Sequence, residues 1–323
     1  MTIADGQCTR ILVVGGLGFI GHQVTRTLLE DGHDVHVFDA AKRYPNSSET
    51  EEGYQARLRL REPHVREATI HIGDILDADR VSEVMRSTRP EVVIHLASIP
   101  VAGIANSDPS GTATQMVTGT SILLEAATTH DVRRFVYVSS SMVYGDFETN
   151  PAPEDHPTKC RDIYGNLKLA SERMTQAFGI NHEMDCVVVR PMSVYGPTGN
   201  EDFVITKFVR AALSGAPLNI NGEDTSLDLT YVEDAAKGIA LAATRAEATG
   251  DVFNITAGRS RTLVEVADIL AHHLDDVRVE IKERRTHYPK RGGLDIGKAR
   301  AKLGYEPRHD LEEGLKKMIN AYR

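Results

Sequence analysis

The sequence predicts an α/β fold: a doubly wound parallel sheet followed by a smaller mixed αβ C-terminal unit. Three observations predict it. Short apolar, β-branched runs such as Arg10–Val14, Glu91–Ser98 and Asp185–Val189 alternate with helical patterns, as strands buried on both faces of a parallel sheet do. A glycine cluster, Gly15-Gly16-Leu17-Gly18-Phe19-Ile20-Gly21, stands between the first such run and the first helical pattern. Beyond Pro191 the pattern turns to short strands and helices in irregular order. With 323 residues the chain has length for one large domain or two, each with a sizeable core.

The first strand, Arg10–Val14, leads into Gly15, Gly18 and Gly21 at the spacing GxxGxxG. The first glycine allows a tight turn. The second lets backbone approach a pyrophosphate, and the third lets the next helix pack on the strand. That helix runs through Leu29, and its N-terminus, with Phe19 and Ile20, faces the phosphates. The unit reads as a Rossmann-like dinucleotide site. The second strand, Asp34–Asp39, ends in a carboxylate close to the ~20-residue offset at which one binds the ribose 2′-OH. Asp39 would repel a 2′-phosphate, which favours NAD over NADP, although Lys42 and Arg43 stand close by. Residues 41–66 are polar and charged and read as a solvated surface insertion, partly helical.

The third strand, Ala68–Ile75, places Asp74 to accept from an adenine amino group and Ile75 to give backbone contacts. Ser82–Thr88 reads as a helix that stops before Pro90. The fourth strand, Glu91–Ser98, ends in Leu96, Ala97 and Ser98, small enough at the rim for a cofactor to come close. His95 in that apolar run reads as a core histidine and not as a ligand or base. Gly111–His130 fits one long helix. The fifth strand, Arg134–Val138, runs into Ser139-Ser140-Ser141-Met142-Val143-Tyr144-Gly145, at the carboxyl rim where ligands of open α/β sheets sit. Residues 146–162 form a loop, and Tyr164–Phe178 a helix. The sixth strand, Asp185–Val189, ends in Arg190-Pro191-Met192-Ser193-Val194-Tyr195-Gly196-Pro197. The remainder offers helices over Phe203–Leu213, Glu233–Ala243, Leu263–Leu274, Ile296–Leu303 and Leu311–Ile319. Between them lie strands over Leu218–Ile220, Leu227–Val232 and Val252–Ile255. His272 and His273 are adjacent, point different ways on a helix, and read as solvated.

A net charge of −9 gives no support to nucleic acid or an anionic membrane as partner. Met1–Arg10 lacks the apolar stretch of a signal peptide, and no apolar run reaches membrane-spanning length. Cys8, Cys160 and Cys186 are scattered and form no CxxC, so neither a disulfide framework nor a metal site is expected. A reducing cytoplasmic location follows as the expectation.

Tyr164 and Lys168 stand four positions apart on one helix and so project from one face. An ammonium beside a phenol favours the phenolate, so Tyr164 is expected to lose its proton nearer neutrality than the usual ~10. That makes Tyr164 a candidate acid/base, close to the serine-rich end of the fifth strand.

With these pieces placed, the chain resembles the extended short-chain dehydrogenase/reductase superfamily, in its NAD-dependent nucleotide-sugar epimerase/dehydratase branch. The resemblance runs nearly end to end. It is carried by the glycine cluster, Gly73-Asp74-Ile75, His95-Leu96-Ala97, Ser139 through Gly145, Tyr164 with Lys168, and Arg190-Pro191 through Pro197. Tyr231-Val232-Glu233-Asp234 and Leu303-Gly304-Tyr305-Glu306-Pro307 complete it.

The resemblance implies an NAD-binding Rossmann domain over 1–185, with 228–258 returning strands to it. A substrate-binding domain over 186–323 would follow. It implies Ser140, Tyr164 and Lys168 as the catalytic set. Ser140 would bind the sugar oxygen that becomes a carbonyl, Tyr164 would exchange its proton, and Lys168 would hold the nicotinamide ribose. Pro191 and Val194 would join the cofactor contacts. Ser141, Met142 and Ser193 would face a nucleotide-diphosphate sugar. A homodimer through 112–129 and 164–178 is also implied.

Departures from the branch's pattern shape the expected reaction. The 4,6-dehydratases carry Asp-Glu directly after the catalytic residue, where this chain has Ser141 and Met142. Decarboxylases place Glu where Met142 stands. Epimerisation at C4, through a transient 4-keto sugar, needs neither. The alternatives are a decarboxylase or dehydratase with a base rearranged to Glu148, Glu154 or Asp155, or a simple NAD-dependent sugar or alcohol dehydrogenase. A diphosphate-binding Asn is replaced by Ser193, and a diphosphate-binding Arg by Leu227. Arg291 is the expected substitute, ahead of Lys207, Arg210 and Lys290.

Overall fold

A computed structural model describes residues 8–44, 46–284 and 289–323. The expectation of no leader at Met1–Arg10 falls, over residues 1–7, outside them. The first half runs β1 (Arg10–Val14), α1 (Gly21–Glu30), β2 (Asp34–Asp39), α2 (Glu51–Val65), β3 (Thr69–Ile72), α3 (Ala78–Thr88) and β4 (Val92–His95). Then come α4 (Ala102–Ser107), α5 (Pro109–Ala113), α6 (Gly119–Thr129), β5 (Arg134–Val138), α7 (Ile163–His182) and β6 (Asp185–Pro191). The second half runs α8 (Val204–Ser214), β7 (Leu218–Asn221), β8 (Ser226–Asp228), α9 (Val232–Thr244), β9 (Val252–Ile255) and β10 (Ser260–Thr262). It closes with α10 (Leu263–His273), β11 (Val279–Lys282), α11 (Gly297–Leu303) and α12 (Leu311–Tyr322).

Seven strands form one parallel sheet in the order β3-β2-β1-β4-β5-β6-β9. The chain winds outward from β1 through β2 to β3, then crosses back to β4. The crevice outside the carboxyl ends of β1 and β4 is the switch point where such sheets take ligands. The central strands are sealed on both sides, which is why they read as continuous apolar runs. Val13, Ile94, Val136 and Val187 face one buried cluster, and Leu12, Val93, Phe135 and Cys186 face the other. A third cluster, including Phe208, Ile220, Leu229, Val266 and Leu315, fills the second half.

Several expectations change here. β6 reaches Pro191 and pairs β5 through Val189, so a division at 185 falls at the start of a sheet strand. β9 completes the sheet beside β6. The buried Arg134 guanidinium bonds Asp185 at 2.6 Å and the carbonyls of Ala242, Ala243 and Arg245 at 3.3, 3.1 and 2.7 Å. A cation at the C-terminal end of α9 suits the helix dipole and ties that helix to the sheet. The stretch expected as one helix over 111–130 starts earlier, at Pro109. It is broken by a π-turn at Thr114–Thr118. That turn leaves Met116 O to accept from Thr120 Oγ1 at 2.5 Å and from Ser171 Oγ of α7 at 3.0 Å. Residues 41–66 are not simply a solvated insertion. Thr50 caps α2 through Gly53 N at 3.1 Å, Arg57 and Arg61 are buried, and Arg57 pairs with the buried Glu49.

Candidate active site

A cavity of about 920 Å³ opens along the carboxyl rim of the sheet. Its floor is the loop after β1. Gly15 sits at φ +86°, and a Cβ there would stand 2.7 Å from Ala97 N. A Cβ on Gly21 would meet Gly15 O at 2.0 Å, and one on Gly18 would lie 3.0 Å from that oxygen. Only glycine fits the first and last positions, so the loop offers bare backbone at the entry to α1. That cradle has the form a pyrophosphate requires.

Asp39 ends β2 beside it. Its Oδ2 accepts from Leu17 N at 2.9 Å and its Oδ1 from Ala41 N at 2.8 Å. Burial pushes the carboxyl up, against those two bonds. Asp74, Ile75, Leu96, Ala97 and Ser98 line the same end, with Phe19 and Ile20. Asp74 Oδ1 is bonded to Leu76 N at 3.1 Å. Leu96 N and Ala97 N both donate to Val14 O, at 2.8 and 3.0 Å, which fixes the end of β4 against β1.

Ser140, Tyr164 and Lys168 all line the cavity. Asp162 starts α7 by accepting from Gly165 N at 2.8 Å. A Cβ on Gly165 would stand 2.8 Å from Met142 O. Glycine there lets the 3₁₀ turn Ser141–Tyr144 close on α7 and brings Ser140 to Tyr164. The Tyr164 phenol, 8% exposed, hydrogen-bonds Ser140. Ser140 Oγ also accepts from Met142 N at 3.2 Å. Lys168 Nζ donates to Val138 O at 2.8 Å.

The electrostatics differ from the sequence expectation. Burial pushes the Tyr164 phenol up to about 12, with the Ser140 bond pulling the other way. Burial also takes the Lys168 ammonium down to about 7. A phenol primed by a neighbouring ammonium was expected. Here desolvation sets the direction for both groups.

The face of α7 continues beyond Lys168 to Glu172, a residue the sequence reading passed over. Glu172 is fully buried. It accepts from Ser139 Oγ at 2.9 Å and from Arg190 Nε at 3.1 Å. Arg190 also donates to Tyr144 Oη at 2.9 Å, and Tyr144 donates to Asn254 Oδ1 at 2.7 Å. This chain of bonds sets the strand end that carries Ser140 against α7. The signal was present: Glu172 lies one helical turn past Lys168.

Pro191, Ser193 and Val194 line the cavity from β6, and Ser141 and Met142 from the 3₁₀ turn. Arg291 enters from the second half, with Nη1 3.4 Å from Met142 Sδ. The other cations weighed against it do not line the cavity. Lys207 lies 3.8 Å from Asp202, Arg210 pairs with Glu201 at 2.8 Å, and the Lys290 backbone bonds Asp146. Leu227 is buried in the apolar cluster of the second half.

The carboxylates proposed as a rearranged base are also elsewhere. Glu148 pairs with Lys159 at 2.6 Å, Glu154 accepts from Asn254 N at 3.0 Å, and Asp155, like them, is absent from the cavity lining. His95 is a buried core residue, 3.0 Å from Thr120 Oγ1, and burial takes it down to about 3. Among the described residues no cluster of three or more ligating side chains could hold a metal, and no helix is long and apolar enough to cross a membrane.

Residues 11–256 match the family described as NAD dependent epimerase/dehydratase family. A dTDP-glucose 4,6-dehydratase of Actinoplanes sp. is 32% identical, over 97% of this chain and 98% of that protein. The UDP-glucose 4-epimerase of Thermotoga maritima, solved with UDP-glucose, superposes with TM-score 0.85 at 30% identity, over 97% of this chain and 98% of that one. The UDP-glucuronic acid 4-epimerase of Bacillus cereus, solved with UDP-glucuronic acid and NAD, superposes with TM-score 0.84 at 25% identity, over 97% and 98%.

Proposed function

We propose, from the premise that this chain belongs to the NAD dependent epimerase/dehydratase family, that it is a nucleotide-sugar 4-epimerase. One observation carries this choice over dehydration or decarboxylation: the cavity wall beside Ser140 is made by Ser141 and Met142, with no carboxyl group. The carboxylates that do line the cavity have other places. Asp39 and Asp74 hold backbone N–H groups at the cofactor end, Asp108 caps α5 through Gly111 N, and Asp202 accepts from Ser48. Proton removal at C5 and loss of a C6 hydroxyl have no agent at this wall. Epimerisation at C4 needs none.

Bound NAD supplies a reversible hydride acceptor and a cationic ring that lowers the phenol pKa. The residues of the chain manage the oxygen and its proton. Ser140 and Tyr164 share a hydrogen bond and converge on one point, where the sugar 4-hydroxyl would lie. Tyr164 as phenolate takes the hydroxyl proton as the C4–H bond is lost and the carbonyl forms. It would return that proton when the carbonyl is reduced from its other face. Ser140 holds the oxygen throughout, and Lys168 holds the cofactor ribose. Arg291 reaches the diphosphate in place of the pair missing at Ser193 and Leu227. The assembly is a homodimer through the exposed faces of α6 and α7, and sedimentation as a monomer would remove that part.

The test is a panel of UDP- and dTDP-linked hexoses and hexuronates, followed by NMR of the products and by absorbance at 340 nm. The expected result is a C4 epimer with no lasting NADH signal. A 4-keto-6-deoxy product, release of CO2, or stoichiometric NADH would overturn the reading in favour of dehydratase, decarboxylase or dehydrogenase.

A further inference from the structure

Arg61 is buried on the inner face of α2 and lines the cavity. Its Nη1 donates to Leu17 O at 3.0 Å. Its Nη2 donates to Thr198 O at 2.6 Å, and its Nε lies 3.5 Å from Thr198 Oγ1. All three partners are neutral oxygens. Leu17 belongs to the glycine-rich loop, and its own N–H is held by Asp39. Thr198 belongs to the turn after β6 and sits at φ +64°. One guanidinium therefore joins the cofactor loop of the first half to a turn of the second.

Two more contacts cross the same seam. Asp202 accepts from Ser48 Oγ at 2.6 Å, Ser48 N at 3.3 Å and Ser47 Oγ at 3.4 Å. The rings of Phe19 and Phe203 stand 5.7 Å apart at 58°. Behind them the buried Arg57–Glu49 pair fixes the loop that leads into α2. Leu17, Phe19, Arg61, Asp202 and Phe203 all line the cavity, so the seam runs along its cofactor end.

We propose that Arg61 is a positioning residue of the cofactor site. It holds the glycine-rich loop in its phosphate-binding form. With the Asp202–Ser48 contact it closes a clasp that sets how long the dinucleotide stays bound. The argument is one of charge and reach. Burial takes the Arg61 guanidinium down to about 10, so it stays cationic near neutrality. A buried cation bonded to the loop that would face the pyrophosphate adds a positive potential there. Its rigid fork donates to the two carbonyls through separate nitrogens, a geometry a single ammonium nitrogen does not reproduce. A dinucleotide held at this end of the cavity would be lined by residues from both halves, so parting of the seam would ease its exit. The proposal rests on the cavity being the NAD site and on nothing about the sugar.

The test loads the protein with 1,N6-etheno-NAD and follows its release by fluorescence after addition of excess NAD. Arg61→Leu, which removes the bonds to Leu17 O and Thr198 O, should quicken release by about tenfold or more, the worth of a single charge-assisted bond. Arg61→Lys keeps the charge but not the fork and should remain faster than wild type. Ser48→Ala, at an exposed residue, should quicken release by about threefold, the loss of one ordinary bond. Met85→Ala serves as a control, since Met85 is a fully buried residue of α3, in a core cluster to which neither α1 nor α2 contributes. If that control, at an equal fall in Tm, quickens release as much as Arg61→Leu, the role is merely structural and the proposal fails. If Arg61→Leu does not fold, Ser48→Ala and Asp202→Asn carry the test, and unchanged release in both overturns it.

Discussion

Replacing Tyr164 by Phe removes one oxygen from the centre of the site and little else. The phenol is 8% exposed and bonded to Ser140, whose Oγ keeps its 3.2 Å bond from Met142 N in the variant. The structural loss is one hydrogen bond, net about 1 kcal/mol, and it is offset in part because a buried polar oxygen leaves with it. For a chain of this size that is a change of about 2 °C in Tm, or less. The chemical loss is of another order. Positioned acid/base catalysis contributes about 10²–10⁴-fold, or roughly 3–5 kcal/mol of barrier. Turnover on the best nucleotide sugar of the panel should therefore fall by that factor while etheno-NAD binding and Tm barely move. Turnover close to wild type would remove Tyr164 from the chemistry. Equal losses of turnover, cofactor binding and Tm would mean that the phenol is structural.

Lys168 predicts a pH dependence. Its folded value, about 7, lies below the ordinary 10.5. Between those values the unfolded chain binds a proton that the folded chain does not, so stability rises with pH across that window. Urea midpoints measured between about pH 7 and pH 9 should rise for wild type and flatten in Lys168→Met. An equal rise in the variant refutes the assignment. Asp39→Ala deprives Leu17 N and Ala41 N of their partner. It should cost about 1–3 kcal/mol and raise the ratio of NADP to NAD use, and an unchanged ratio counts against the ribose contact. Gly15→Ala combines φ +86° with a Cβ 2.7 Å from Ala97 N. Strain alone costs about 1–2 kcal/mol, so NAD binding and Tm should fall together, and a wild-type titration would show that the turn is not needed.

What the sequence made legible was local. The buried strands announce themselves because both faces are covered, and Ile11 through Val14 need no partner in sequence to be read as apolar. The cradle was legible because Gly15, Gly18 and Gly21 act within one turn of chain. Tyr164 and Lys168 were legible because helix geometry alone places them on one face. The signs of their ionisation were not, because desolvation depends on everything packed around α7. The π-turn at Thr114–Thr118 left no mark in composition, since its residues would suit an α-helix equally well. The role of α2 was hidden for a plainer reason: the partners of Arg61 are 44 and 137 residues away.

That distance separates two kinds of determinant in the molecule. Arg61, Ser47 and Ser48 supply donors from the first half, and Thr198 and Asp202 supply acceptors from the second. None of these groups reaches the wall at Ser140. They line or border the cofactor end of the cavity, and on the proposal above they bear on the dinucleotide. Ser141, Met142 and Arg291 line the cavity beside Ser140, where the proposed sugar would sit. Changes at one end need not disturb the other. Placing a Glu at Met142 should therefore alter what becomes of the oxidised sugar without touching etheno-NAD release, whereas Arg61→Leu should do the reverse. A Met142→Glu variant whose cofactor release changed as much as its product distribution would show that the two ends are coupled.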